Sequence, residues 1–308
     1  METSTIISSD KQTKLHTVCW KPKGEPKAIV QIIHGMAEYI ERYSEFAEYL
    51  NQLGYLVVGH DHLGHGKSVH PEAPQYGYFG EETIALVLAD IHQVRTWAQA
   101  SYPDCPYFMM GHSMGSFALR NYLQTNSEGL NGVILMGTGS KPVGVNFALP
   151  LVKWLSKKNG SKKNPMVDKL AFGAFSKKFP EPSSFNWLSK NPENVANYEK
   201  DHLTGFTFTN NGFYTLFQLI EGANKKGWGS KLQKKLPILM ISGAQDPVGD
   251  FGKGIEKVRG ELAESGLTEV SVTLFPELRH EILLEEEKAE AYQVIEQWLS
   301  RFEKQSVV

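Results

Sequence analysis

Residues 107–115 read Tyr107-Phe108-Met109-Met110-Gly111-His112-Ser113-Met114-Gly115. An apolar run that ends in G-x-S-x-G predicts a buried strand, a sharp turn and then a helix, with the serine at the tip of the turn. The two glycines remove side chains that would collide there, and Ser113 is expected in a strained backbone conformation with its hydroxyl exposed. Glycine and serine are common, so the pentapeptide acquires meaning only if the chain also supplies a base, an orienting acid and an oxyanion hole in matching places.

The elements around it alternate. Short apolar runs at Ala28–Ile33, Tyr55–Val58, Tyr107–Met110, Gly132–Met136, Pro237–Ser242 and Val270–Phe275 are near-continuous, which suits strands of a parallel sheet covered on both faces. Thr13–Trp20 reads as an antiparallel strand near the N-terminal edge. Apolar residues recur at helical spacing in four sets: Tyr43, Phe46, Leu50 and Leu53; Ile84, Val87, Ile91 and Val94; Ile255, Val258 and Leu262; Ala291, Val294, Trp298 and Phe302. Strands alternating with helices imply right-handed crossovers and a doubly wound sheet, whose sites lie beyond the carboxyl ends of the strands. The alternation lapses between about 140 and 226, which predicts a helical lid inserted between core segments 1–139 and 227–308.

A serine hydroxyl needs a base to take its proton and a third group to orient that base. In a fold of this kind the chain order is serine, acid, histidine. Of the ten histidines only His202 and His280 follow Ser113, and only His280 follows the run Val270–Phe275, so His280 is the candidate base. Asp246 follows the strand at 237–242 and is fixed by Pro247; Asp250 is the second choice for the acid. The N–H of Met114, directly after the serine, and that of Met36, in His34-Gly35-Met36-Ala37-Glu38, are the candidate oxyanion donors.

With these residues in place, the chain resembles the α/β-hydrolases of the monoacylglycerol lipase and lysophospholipase group. The resemblance rests on His34-Gly35-Met36-Ala37-Glu38 with Arg42-Tyr43, on Asp61-His62-Leu63-Gly64-His65-Gly66-Lys67-Ser68, on the pentapeptide at 111–115, on Asp246-Pro247-Val248-Gly249 and on Arg279-His280-Glu281. It implies an α/β-hydrolase fold, a Ser113–Asp246–His280 triad, hydrolysis of lipid esters and no cofactor. Glu38 and Arg42 match positions that help line a polar pocket for the alcohol in similar lipases, and could equally form an ion pair at a helix start. His112, inside the pentapeptide, is grouped with them as a candidate substrate contact. Bacterial members have lid segments like Asn186–Ser189 and Asp201–Phe206, although some carry proline and cysteine where this chain has His202 and Thr204. The clustered histidines at 60–65 invite a metal reading, but a binuclear hydrolase would place an aspartate where Gly64 stands, and no metal is expected.

Composition sets the remaining bounds. A net charge of −2 in 308 residues gives no reason to expect nucleic acid. Cys19 and Cys105 fit no metal or redox spacing, Met1–Lys14 lacks an apolar signal core, and a cytoplasmic protein is the default expectation. Residues 140–225 hold twelve lysines, no arginine and six acidic residues, a charge of +6, together with 13 aromatics. This composition fits solvated lysines around a helical core, or an apolar acyl tunnel with a basic rim that meets an anionic lipid surface. A proline iminopeptidase-like peptidase, a broad short-chain carboxylesterase and a non-catalytic binding protein on the same fold remain as alternatives.

Overall fold

The computed structural model describes residues 1–69, 74–81 and 83–303. One eight-stranded sheet runs through it. Its strands are β1 (Glu2–Ile7), β2 (Lys14–Trp20), β3 (Ala28–Ile33), β4 (Tyr55–His60), β5 (Tyr107–His112), β6 (Gly132–Met136), β7 (Ile238–Gly243) and β8 (Val270–Phe275), in spatial order 1-2-4-3-5-6-7-8. Strands β3 to β8 are mutually parallel, and β2 joins β4 antiparallel. The central strands β3 to β7 are buried along their whole length, which explains their near-continuous apolar sequences.

Helices cover both faces. On one face α1 (Ser44–Gln52) and α9 (Lys288–Phe302) set Phe46, Leu50, Ile295 and Trp298 against Val30, Phe108 and Ile134. On the other, α2 (Ile84–Ser101), α3 (Met114–Asn126) and α8 (Lys253–Glu264) bring Ile91, Val94, Leu119 and Val258 to Ile29, Met109 and Val133. Between β6 and β7 lie α4 (Val145–Asn159), α5 (Pro165–Phe172), α6 (Pro192–Lys200) and α7 (Asn210–Ala223). Helix α7 contributes Phe213, Leu216 and Leu219 to the same apolar cluster as α3.

Several details depart from the sequence reading: β4 runs on to His60, past Val58, and β7 sits one residue later than 237–242. The polar strand β1 pairs antiparallel with β2 and takes the sheet edge. Five of its six residues are exposed, so no apolar period marks it. Strand β5 extends past Met110 because Gly111 and His112 continue the register opposite Leu135 and Met136.

The sharpest packing constraint is at Gly115. A Cβ there would drive into the backbone carbonyls of Ile33 and His34, which belong to β3 and the loop after it. Gly115→Ala should therefore cost about 1–3 kcal/mol as backbone is pushed apart. A thermal melt checks this; an unchanged melting temperature would contradict the close approach.

Candidate active site

The site forms where β3, β5, β7 and β8 end. Ser113 sits between β5 and α3 at φ 52° and ψ −119°, a left-handed conformation that costs a non-glycine residue of order 1–3 kcal/mol. Its N–H donates to the Met136 carbonyl at 3.0 Å, which ties the turn to the end of β6. Asp246 lies in the loop after β7 and is fully buried. Its Oδ1 accepts from the Val248 N–H at 2.8 Å, and its Oδ2 from the Ser242 hydroxyl at 3.1 Å. His280, in the loop after β8, places Nδ1 2.8 Å from Asp246 Oδ2. A buried carboxylate in that position keeps the proton on Nδ1 and leaves Nε2 free to act as a base.

The structure separates the two acids and the two histidines considered from sequence. Asp250 is exposed and carries a left-handed φ of 48°. The His202 side chain is 83% exposed, beside Asp201. His112, the residue before Ser113, has its ring centroid 4.7 Å from that of His280. Among the described residues no hydrogen bond joins the Ser113 hydroxyl to His280, and catalytic bonds of this kind commonly tighten only around substrate. A Cβ on Gly35 would stand 3.2 Å from the Ser113 Cβ, so the loop after β3 lies directly against the serine. The N–H groups of Met36 and Met114 both lack a backbone acceptor among the described residues.

Glu38, Arg42 and His112 meet in a buried polar network beside this centre. Glu38 Oε1 takes the Gly35 N–H, the Tyr43 hydroxyl at 2.9 Å and His112 Nδ1 at 3.0 Å. Arg42 Nη1 donates to Glu38 Oε2 at 2.9 Å and to Glu281 Oε1 at 2.6 Å, while Nη2 reaches Glu281 Oε2 at 2.9 Å. Burial alone would raise both carboxyls, but His112 and Arg42 hold Glu38, and Arg42 holds Glu281, below the usual carboxylate range. Burial likewise opposes a charge on His112, and Glu38 outweighs it, raising that imidazole. The remaining cavity is about 10 Å³, room for one water. The Glu38–Arg42 pair was legible as an i,i+4 spacing with Tyr43 next to it; Glu281 and Asn194 complete it from places that sequence spacing does not connect.

The loop carrying His280 is also bolted to the segment after α5. The Glu281 N–H donates to the Leu188 carbonyl at 2.7 Å. Arg279 Nη1 donates to the Asn186 carbonyl at 2.7 Å. Buried Glu285 accepts from the Ser189 hydroxyl at 2.6 Å and from the Arg279 N–H at 3.1 Å. Trp187 lies 5.2 Å from His280, ring to ring, and stacks on Phe172 of α5. Arg279 entered the sequence reading only within the motif Arg279-His280-Glu281, with no partner assigned, and Glu285 gave no signal beyond its nearness to His280.

The histidines of the metal reading, His60, His62 and His65, are buried, and the rings of His62 and His65 lie 4.3 and 5.3 Å from that of His34. His34 uses both ring nitrogens on backbone groups, and His65 Nδ1 faces the Leu63 carbonyl at 3.0 Å. Among the described residues no three His, Cys, Asp or Glu side chains are arranged to hold a metal ion.

A parallel sheet with a serine on a strand-to-helix turn, and a carboxylate–imidazole pair at later strand ends, defines an α/β-hydrolase. Residues 24–287 match the family described as serine aminopeptidase, S33, and the chain belongs to that family. It is 30% identical over 254 residues to a monoglyceride lipase homolog of monkeypox virus, covering 81% of this chain and 82% of that one. It is 39% identical to rat monoglyceride lipase over 100 residues, 31% of this chain and 30% of that one. A carboxyl esterase from Bacillus coagulans, solved with glycerol, superposes with a TM-score of 0.93 at 30% identity, covering 98% of each chain. With these relatives the chain is a carboxylic ester hydrolase.

The imidazole cluster predicts an acid-sensitive fold. Burial lowers His62 to about 4 and His65 to about 3, and lowers His60 well below its ordinary value. The unfolded chain therefore takes up protons first as the pH falls below about 6.5, and stability drops from there through the folded values. Among the described residues neither ring nitrogen of His60 has a hydrogen-bond partner. His60→Leu should melt close to the parent at pH 7.5 and lose less stability at pH 5. Equal losses in both proteins would contradict this account.

Proposed function

We propose that this chain hydrolyses carboxylic esters of lipids, monoacylglycerol or lysophospholipid, by acyl transfer through Ser113. The observation that carries the reading is the buried His280–Asp246 hydrogen bond beside a strained serine. Ser113 Oγ attacks the acyl carbonyl as His280 Nε2 takes its proton, and Asp246 stabilises the imidazolium. The N–H groups of Met36 and Met114 stabilise the oxyanion. His280 gives the proton to the departing alcohol, then takes one from a water whose oxygen attacks the acyl carbon; the bond to Ser113 Oγ breaks, that oxygen receives the proton from His280, and the acid leaves. No cofactor enters this cycle.

A lipid substrate is supported by the surface between β6 and α6. Six of the ten large apolar side chains exposed among the described residues lie there: Val143, Phe147, Leu151, Trp154, Met166 and Leu170. Phe147, Leu151 and Trp154 share a face of α4 opposite buried Val145 and Val152, and exposed Lys153, Lys157, Lys158, Lys162, Lys163 and Lys169 surround them. An apolar face rimmed by lysine suits the interface of an anionic lipid surface. Residues 140–226 are then a lid, with Phe172 and Trp187 leading from it to His280. No helix among the described residues is long and apolar enough to cross a membrane, so contact would be peripheral. A short-chain carboxylesterase is the second reading, favoured by the Bacillus coagulans esterase. A peptidase would need acidic groups for a peptide amine, and the lysine-rich insertion offers few.

Ser113→Ala should abolish turnover of both a monoacylglycerol and a soluble aryl ester while the fold survives. Asp246→Asn should lower kcat by about three to four orders of magnitude, and Asp250→Asn should leave it near the parent value. Turnover retained in Ser113→Ala, or lost equally at Asp250, would overturn the assignment.

The lid is tested separately by sedimentation with phosphatidylglycerol vesicles. Joint replacement of Phe147 and Trp154 by serine, or of Lys157, Lys158, Lys162 and Lys163 by glutamate, should weaken binding and spare turnover of the soluble ester. Unchanged vesicle binding in both would contradict the lipid-surface reading.

A further inference from the structure

We propose that His34 is a positioning residue, which fixes the Gly35–Met36 peptide so that its N–H, and not its carbonyl, faces the oxyanion. The proposal rests on the reading of Met36 as an oxyanion donor. A trans peptide is planar, and its carbonyl and N–H point in opposite directions, so holding one aims the other. The Gly35 carbonyl is held by His34 Nδ1 at 2.8 Å. The tautomer is set from elsewhere in the fold: the His62 N–H donates to His34 Nε2 at 2.9 Å, so Nε2 carries the lone pair and Nδ1 the proton. His62 Nε2 in turn lies 3.2 Å from the His34 carbonyl, which it holds as a donor.

The neighbouring peptides of the loop are also restrained. Glu38 takes the Gly35 N–H. The Ala37 carbonyl accepts from the Tyr198 hydroxyl and the Gly205 N–H, each at 3.0 Å. Met36 is left with an N–H that no backbone carbonyl among the described residues accepts, on a loop whose Gly35 abuts Ser113. Glycine at 35 removes one of the two side-chain barriers to turning the Gly35–Met36 plane over, and a flipped plane would present a carbonyl to the developing negative charge. Burial, with His62 and His65 nearby, keeps His34 in the neutral form that this geometry needs.

The test separates holding the carbonyl from filling the space. In His34→Asn the side-chain amide nitrogen stands where Nδ1 stood and can still donate to the Gly35 carbonyl; His34→Leu fills the volume without a donor, and His34→Gln carries its amide one bond too far. The Leu and Gln variants should lose about 100-fold in kcat, the order expected when one oxyanion donor is lost. Their KM should change less than about threefold, and they should lose a similar factor in affinity for a boronic acid that forms a tetrahedral adduct on serine. His34→Asn should recover at least tenfold of the loss. If kcat in the folded Leu and Gln variants stays within about threefold of the parent, or if Asn is no better than either, the positioning role is overturned. Replacing Met36 by its α-hydroxy acid, which exchanges only the N–H for oxygen, tests the underlying reading. A loss there without one in His34→Leu removes the role of His34 alone, and no loss there removes the oxyanion assignment as well.

Discussion

The structure turns on the approach of α3 to the loop after β3. Gly115, in the first turn of α3, lies so close to the Ile33 and His34 carbonyls that no Cβ fits. That contact brings the strained turn at Ser113 against Gly35, and it does so because β3 and β5 are neighbours in the sheet. A proposed nucleophile from one strand end and a proposed oxyanion donor from the next are thereby set in register. The remaining pieces arrive along the same sheet, Asp246 after β7 and His280 after β8, with their hydrogen bond joining the two loops.

Charge buried next to this centre is balanced rather than avoided. Glu38 and Glu281 face Arg42 and a His112 imidazole whose proton affinity Glu38 raises. Such a set adds little net stability, because desolvating four groups offsets most of their attraction. Its effect is positional. Glu38 restrains the loop after β3, Glu281 follows His280 in sequence, and His112 Nε2 lies 3.3 Å from the His280 carbonyl. The proposed base and the proposed oxyanion loop are therefore held by one network, to which the insertion adds Asn194 and Tyr198.

Much of the fold was legible because the central strands are buried on both faces and therefore mostly apolar. The limits of β3, β6 and β8 follow their apolar runs to the residue. Strand β1 was missed because a nearly fully exposed edge strand needs only backbone pairing, which leaves no pattern in the side chains. In the site, the order of Ser113, Asp246 and His280 was readable because chain order and strand ends constrain it. The hold on Arg42 by Glu281 was not, since 239 residues separate them and β8 lies at the far edge of the sheet from β3, so that only the loop after β8 reaches Arg42. The same limit hid Glu285, whose partners at Ser189 and Lys190 lie in the insertion.

The central claim is that Ser113 carries the acyl group. A brief incubation with a monoacylglycerol, quenched in acid and followed by peptide mass analysis, tests it directly. The account predicts an added acyl mass on the peptide containing Ser113, which is gone when the folded enzyme is left at neutral pH to exhaust the substrate before the quench. An acyl group found on another residue, or steady release of fatty acid with Ser113 replaced by alanine, would contradict it.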